Sequence, residues 1–231
     1  SLSPDGSQMT ITRPGRISLV KSDGTNLRPD VVTHPGVASY TEALYYAVPS
    51  WAADSSAAGV AIPSADPLAP DAGGSIWIIP ADGSPAAHLA DITGDFFRGQ
   101  GAASALSPDL RRIGFTRPTA TPTMSDLVLA NADGSGEFVY GTGRIHWRGW
   151  SPDGIHLVYA YGEDMVLHIA ASDADPVPLT AGLQLRWINA DQFLYLSGER
   201  GEWTLQLGEI GADPIPLATP VGELIAYDFD P

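Results

Sequence analysis

The sequence predicts an all-β chain in which one four-stranded antiparallel unit is repeated five times, and three observations predict it. A turn of the form apolar-Ser-Pro-Asp-Gly recurs along the 231 residues. A second turn, rich in Asp-Gly, falls between successive copies of the first. The segments between turns have strand length and β-branched or aromatic composition, and no window shows a helical period. Repeats of this size that each supply four strands are the mark of a β-propeller, whose blades stand around a central tunnel.

The first turn is complete in Leu2-Ser3-Pro4-Asp5-Gly6 and Trp150-Ser151-Pro152-Asp153-Gly154, and nearly so in Leu106-Ser107-Pro108-Asp109. Trp51-Ala52-Ala53-Asp54-Ser55 is a degraded copy. Trp187-Ile188-Asn189-Ala190-Asp191 is a weaker one that reads as carrying one extra residue. The aspartates at 5, 54, 109, 153 and 191 lie 38 to 55 residues apart, which brackets a propeller blade. The second turn is Ser22-Asp23-Gly24, then Ala81-Asp82-Gly83, then Ala132-Asp133-Gly134, with decayed versions at Asp173-Ala174-Asp175 and Gly211-Ala212-Asp213. Asp-Gly suits a tight hairpin because both residues tolerate positive φ. Ile155–Ala160, Val166–Ile169, Phe193–Leu196 and Trp203–Leu207 are the clearest strands. Their near-continuous apolarity fits strands covered on both faces by neighbouring blades.

With the four strands of a blade labelled a to d from the tunnel outwards, the Ser-Pro-Asp-Gly turn joins a to b and the Asp-Gly turn joins c to d. The chain is then a single domain, 1–231, that opens at the end of a strand a and runs through four complete blades. Residues 223–229 form a last strand in which Phe229-Asp230-Pro231 lines up with Leu2-Ser3-Pro4. The expected architecture is therefore five blades, closed by the C-terminal strand completing the first. Closure removes exposed sheet edges. A five-repeat excerpt of a larger propeller is the rival reading.

The Trp-Ser-Pro-Asp-Gly anchor, two apolar strands and the (Ala/Ser)-Asp-Gly turn together resemble the TolB-like, or PD40 (WD40-like), propeller repeat. The same repeat builds the propeller of prolyl-oligopeptidase-type serine peptidases. The resemblance covers essentially the whole chain and is strongest around Asp5, Asp109 and Asp153. It implies a bacterial binding module located in the periplasm or outside the cell. A monomer with a protein or peptide partner is expected. TolB itself has six blades and a separate N-terminal domain, and the five repeats here depart from that pattern.

Composition narrows the function. The net charge is −15, which argues against nucleic acid and against anionic membrane surfaces, since both need a basic patch. Cysteine is absent, so no disulfide, thiolate metal site or thiol nucleophile exists. No stretch approaches the ~18 apolar residues of a helical membrane span. His34, His88, His146, His156 and His168 have no metal-ligand spacing, and no phosphate-binding Gly-rich loop is present, so no cofactor is expected. Gly149-Trp150-Ser151-Pro152-Asp153 falls short of the nucleophile elbow Gly-x-Ser-x-Gly and is accounted for by the repeat.

Two surfaces remain. The a–b and c–d turns share one face and are short. The b–c and d–a connections share the other, and several are long, bringing Tyr40, Tyr45, Tyr46, Phe96, Phe97 and Arg98 to it, with Glu42 and Asp95 beside them. Aromatic and arginine clusters on loops are typical recognition anchors, although such aromatics also pack beneath their own loops. The tunnel is the second surface, where strands a contribute Ser50, Ser104, Arg148, Arg186 and Asp228, with Trp147 and Tyr227 nearby. These can hold a ligand or simply line a water-filled channel with local ion pairs. A non-catalytic binding or scaffold propeller ranks first. The alternatives are a hydrolase or lyase with carboxylates at the tunnel mouth, and the propeller part of a larger serine peptidase.

Overall fold

The structure, a computed structural model, describes residues 1–37, 45–67, 69, 71–97, 105–171, 175–179, 182–199 and 202–219. These form strands and turns without a helix, in five antiparallel sheets that follow one another along the chain. The first sheet holds β1 (Gln8–Arg13), β2 (Arg16–Lys21) and β3 (Arg28–Thr33). The second holds β4 (Ser50–Trp51), β5 (Ala57–Pro63), β6 (Gly73–Pro80) and β7 (Ala87–Thr93). The third holds β8 (Arg112–Pro118), β9 (Ser125–Asn131) and β10 (Phe138–Gly143). The fourth holds β11 (Ile145–Trp150), β12 (His156–Tyr161), β13 (Val166–Ala171) and β14 (Val177–Pro178). The fifth holds β15 (Gly182–Trp187), β16 (Gln192–Glu199), β17 (Glu202–Glu209) and β18 (Ile215–Ala218). In the first and third sheets, single bridges from Leu2 to Met9 and from Leu106 to Ile113 stand where the others have a paired strand a.

The repeat has a physical basis in its buried serine. Ser151 is fully buried, and its hydroxyl donates to Asp153 while accepting the backbone N–H of His156 at 2.9 Å. Asp153 in turn accepts the N–H of Ile155 at 3.0 Å. Ser3 with Asp5 and Ser107 with Asp109 repeat the arrangement. One hydroxyl thus satisfies the first amide of strand b and orients the carboxylate that holds the turn. In the second sheet Ala52 removes the hydroxyl, and Asp54 keeps its bond to the N–H of Ser56. The fifth copy corrects the sequence reading. Trp187 pairs with Phe193 where Trp150 pairs with Leu157, so this turn is one residue shorter, not longer. Asn189 takes the place of the aspartate, accepting from the N–H groups of Asp191 and Gln192.

These turns make stability fall in acid. Hydrogen bonds from Ser3 and then Ser7 hold Asp5 down at about 2, and Asp23, Asp54, Asp82 and Asp133 are lowered by the Ser or Thr two residues on. A carboxyl whose pKa is depressed on folding contributes fully above its unfolded value of about 4 and loses that contribution as pH falls through the folded value. The thermal midpoint should therefore decline between about pH 4 and pH 2. Asp5→Asn keeps an acceptor but no titration, so its decline should be shallower. A midpoint flat across that window would refute the assignment.

Both turns of a sheet lie at one end. Ser22 N–H donates to Ser7 O, Ala81 to Ser56, Ala132 to Arg111 and Ile210 to Asp191, at 2.8 to 3.0 Å. The longer connections consequently emerge at the opposite end, as expected. The core is a series of layers between successive sheets. Ile17, Leu19, Trp51 and Val60 fill the first layer, and Ile76, Phe96, Ile113 and Phe115 the second. Leu127, Trp147, Trp150 and Leu157 fill the third, and Val158, Ile169, Phe193 and Tyr195 the fourth. β5 is buried at every position because it is covered on both sides. β17 is only half-buried through most of its length, and Ile215 and Leu217 beside it are about half exposed. Among the described residues no sheet closes the ring. The expected closing strand, 223–229, lies outside them.

Candidate functional site

Strand β11 brings the innermost positions of the fourth sheet to the long-loop end. Its burial alternates from Ile145 to Arg148, so Trp147 enters the core while His146 and Arg148 face outward on the same side. Around His146 lies a cleft of about 240 Å³, walled by Asp95, Thr116, Ile145 and the loop that carries Thr119, Thr121 and Met124. Asp95 is placed by its N–H, which bonds Thr116 O at 2.7 Å, and its carboxylate accepts the N–H of Phe97 at 3.0 Å. His146 is lowered by partial burial first and by the Arg148 and Arg144 charges next, with Asp95 opposing, so its imidazole is neutral at pH 7. Arg144 itself pairs with Glu163 at 2.9 Å.

The expected site residues separate. Tyr46 is exposed, and Phe97 is half-buried beside Asp95. Tyr45 packs against the first layer with its ring 6.2 Å from Phe97, and burial pushes its hydroxyl up to about 12. Phe96 is not a surface anchor. It is 2% exposed, stacked on Phe115 at 5.1 Å, because its backbone places it between the second and third sheets. Tyr40, Glu42, Arg98, Ser104, Tyr227 and Asp228 lie outside the described residues. Arg148 and Arg186 are both reached by solvent, and neither forms an ion pair among the described residues. Partial burial draws the Arg148 guanidinium below its ordinary value.

His146 was not among the expected site residues. The signal for it was the period-two alternation in His146-Trp147-Arg148, which puts the imidazole and the guanidinium on one side of a strand. Asp95 is the one carboxylate among the described residues lining the cleft. Among the described residues no group of three or more His, Asp or Glu is placed to hold a metal. The arrangement offers hydrogen-bonding groups, one carboxylate and a neutral imidazole, with the Arg148 charge nearby.

No protein-family model and no curated protein matches the chain. Solved structures do. The chain is similar to TolB from Acinetobacter baumannii, at 11% identity and a TM-score of 0.55, over 92% of this chain and 52% of that one. It is similar to oligogalacturonate lyase from Vibrio parahaemolyticus, at 8% identity and a TM-score of 0.65, over 95% and 64%. It is also similar to the β-propeller domain of the Trilobed protease from Pyrococcus furiosus, at 12% identity and a TM-score of 0.64, over 95% and 68%. The chain thus spans about half to two thirds of the length of these proteins. At such identities the likeness shows the fold alone. It defines an all-β chain of antiparallel three- and four-stranded sheets of the propeller kind, with TolB-like proteins among its neighbours.

Proposed function

We propose that the chain is a non-catalytic binding propeller of five blades that holds a protein or peptide partner on its long-loop face. The carrying observation is the cleft that Asp95 and His146 line together, with Phe97 held beside Asp95 by its N–H and the Arg148 charge acting on His146. Tyr46 and Phe97 supply apolar contact, and Arg148 and Arg186 supply positive charge in a chain of net charge −15. That pairing suits a partner that presents an apolar side chain next to an acidic group or a C-terminal carboxylate. A location in the periplasm or outside the cell accords with the TolB-like resemblance.

The test is selection of peptides from a random display library on the wild-type protein, followed by affinity measurement against His146→Ala/Arg148→Ala. A loss of about tenfold or more supports the reading. Unchanged affinity places the binding elsewhere and refutes it. The lyase alternative draws on the likeness to oligogalacturonate lyase and the peptidase alternative on the Trilobed protease propeller. Turnover of oligogalacturonate by the wild type, lost in Asp95→Asn, would replace binding by catalysis.

A further inference from the structure

The junctions between sheets differ, and the first carries a part that the fourth lacks. Between the first and second sheets, two side chains of the first reach the c–d turn of the second. Gln8 Nε2 donates to Ala81 O at 3.1 Å, and the Arg28 guanidinium donates to Pro80 O at 3.0 Å and to Ser84 O at 2.6 Å. Between the third and fourth sheets, Arg112 reaches across to Gly154 O. Between the second and third, Ala132 of the turn is buried in the apolar layer, against which Ala90 also packs.

Strand register fixes the equivalent positions between the fourth and fifth sheets. Gln8 pairs with Lys21 as His156 pairs with Ala171, so His156 stands where Gln8 does. Arg28 pairs with Leu19 as Val177 pairs with Ile169, so Val177 stands where Arg28 does. Ala57 pairs with Pro80 as Gln192 pairs with Glu209, which makes Glu209, Ile210 and Asp213 the counterparts of Pro80, Ala81 and Ser84. The receiving turn is present, and the cation that fills it in the first junction is not. Instead there is a cleft of about 640 Å³, with walls that include Ile169, Val177, Leu179 and Phe193. Asp175, Glu209 and Asp213 stand along it, and no lysine or arginine among the described residues lines it. The buried Nδ1 of His156, which also lines the cleft, has no hydrogen-bond partner. One oxygen of Glu209 accepts from Gln192 at 3.0 Å, and the other two carboxylates are exposed.

We infer that this cleft binds a guanidinium-bearing ligand, an arginine side chain of a peptide next to an apolar residue, which takes the place that Arg28 occupies three repeats earlier. The three carboxylates and the turn carbonyls receive the cation, and the apolar walls hold the aliphatic stem and its neighbour. The volume lies within the range of small-ligand pockets. The cleft lies at the short-turn end, opposite the His146 cleft, so this inference stands or falls separately from the proposed function.

The probe is N-acetyl-Phe-Arg-amide, titrated calorimetrically into the whole chain, with the neutral isostere N-acetyl-Phe-citrulline-amide as comparator. The arginine peptide should bind about tenfold or more tightly than the citrulline peptide. Asp175→Asn/Asp213→Asn, both exposed, should abolish that preference without loss of folding. Val177→Arg supplies the missing guanidinium from within. It should raise the thermal midpoint and weaken the peptide by about tenfold or more. Equal binding of the two peptides, absence of saturable binding, or a preference that survives the double asparagine variant would each overturn the inference, whether or not Val177→Arg folds.

Discussion

Trp150→Ala lowers the unfolding free energy by about 3–5 kcal/mol, measured by urea denaturation followed by far-UV circular dichroism. Trp150 is 8% exposed in the third core layer, with the Trp147 ring edge-on at 5.3 Å and the Arg112 guanidinium 4.9 Å above it. Its indole N–H donates to Ala105 O at 2.9 Å, which joins the innermost segment of the third sheet to that of the fourth. Trp51 makes the same bond to Ser1 O at 3.2 Å between the first and second. Truncation therefore removes a large apolar body, a cation–π contact and an inter-sheet hydrogen bond together. Trp150→Phe separates these effects. It keeps most of the packing and should cost about 1 kcal/mol, because Ala105 O retains the N–H of Gly114. Domains of this kind have about 5–15 kcal/mol in total, so the alanine variant stands near the edge of folding at 37 °C. A loss below about 1 kcal/mol would mean that the anchor tryptophan is not what joins the sheets.

The repeat was legible because it is made of local chemistry. A buried serine, a turn aspartate and a glycine lie within a few residues of one another, and their hydrogen bonds need no distant partner. For that reason all five sheets and the sharing of one end by both turns could be read before any coordinates. The fifth turn was misread because Asn189 does the work of an aspartate, while a true aspartate stands two residues later at 191. The site was less legible. Phe96 and Phe97 are adjacent and chemically alike, and only the path of the chain between the second and third sheets decides that one is core and the other half-exposed. His146 acquires its surroundings from Asp95, 51 residues earlier, and from the loop that carries Thr121, so no local pattern could show the cleft. The cleft between the fourth and fifth sheets was invisible for a further reason. It is defined by a side chain that the repeat lacks there, and a substitution of Arg28 by Val177 has meaning only once the register is known.

Gly114→Ala destabilises by about 1–3 kcal/mol, although it adds a single methyl and improves strand propensity. A Cβ at Gly114 would run into the six-membered ring of Trp147, which lies flat against the backbone of β8. Trp147 cannot easily withdraw, because it is 4% exposed and wedged against Trp150. Glycine here serves close approach and not backbone freedom, since its φ is not among the positive ones. The same strand position holds Thr10 in the first sheet, Val158 in the fourth and, in the second, Gly59 crowded by Leu106 and Leu110, so the requirement is set by the side chain that each neighbouring sheet puts opposite it, here Trp147. A double-mutant cycle makes the claim specific. Trp147→Leu alone leaves a cavity and costs on the order of 2 kcal/mol. In the Gly114→Ala background the same change relieves the clash and partly fills the space. The double variant should accordingly lose less than the two single losses combined, with a coupling of about 1 kcal/mol or more. Strict additivity would place the cost of Gly114→Ala in the backbone of β8 and remove Trp147 as its cause. A coupling of the expected sign identifies this glycine–tryptophan pair as what sets the spacing of the third and fourth sheets, and with it the width of the cleft that opens beside His146.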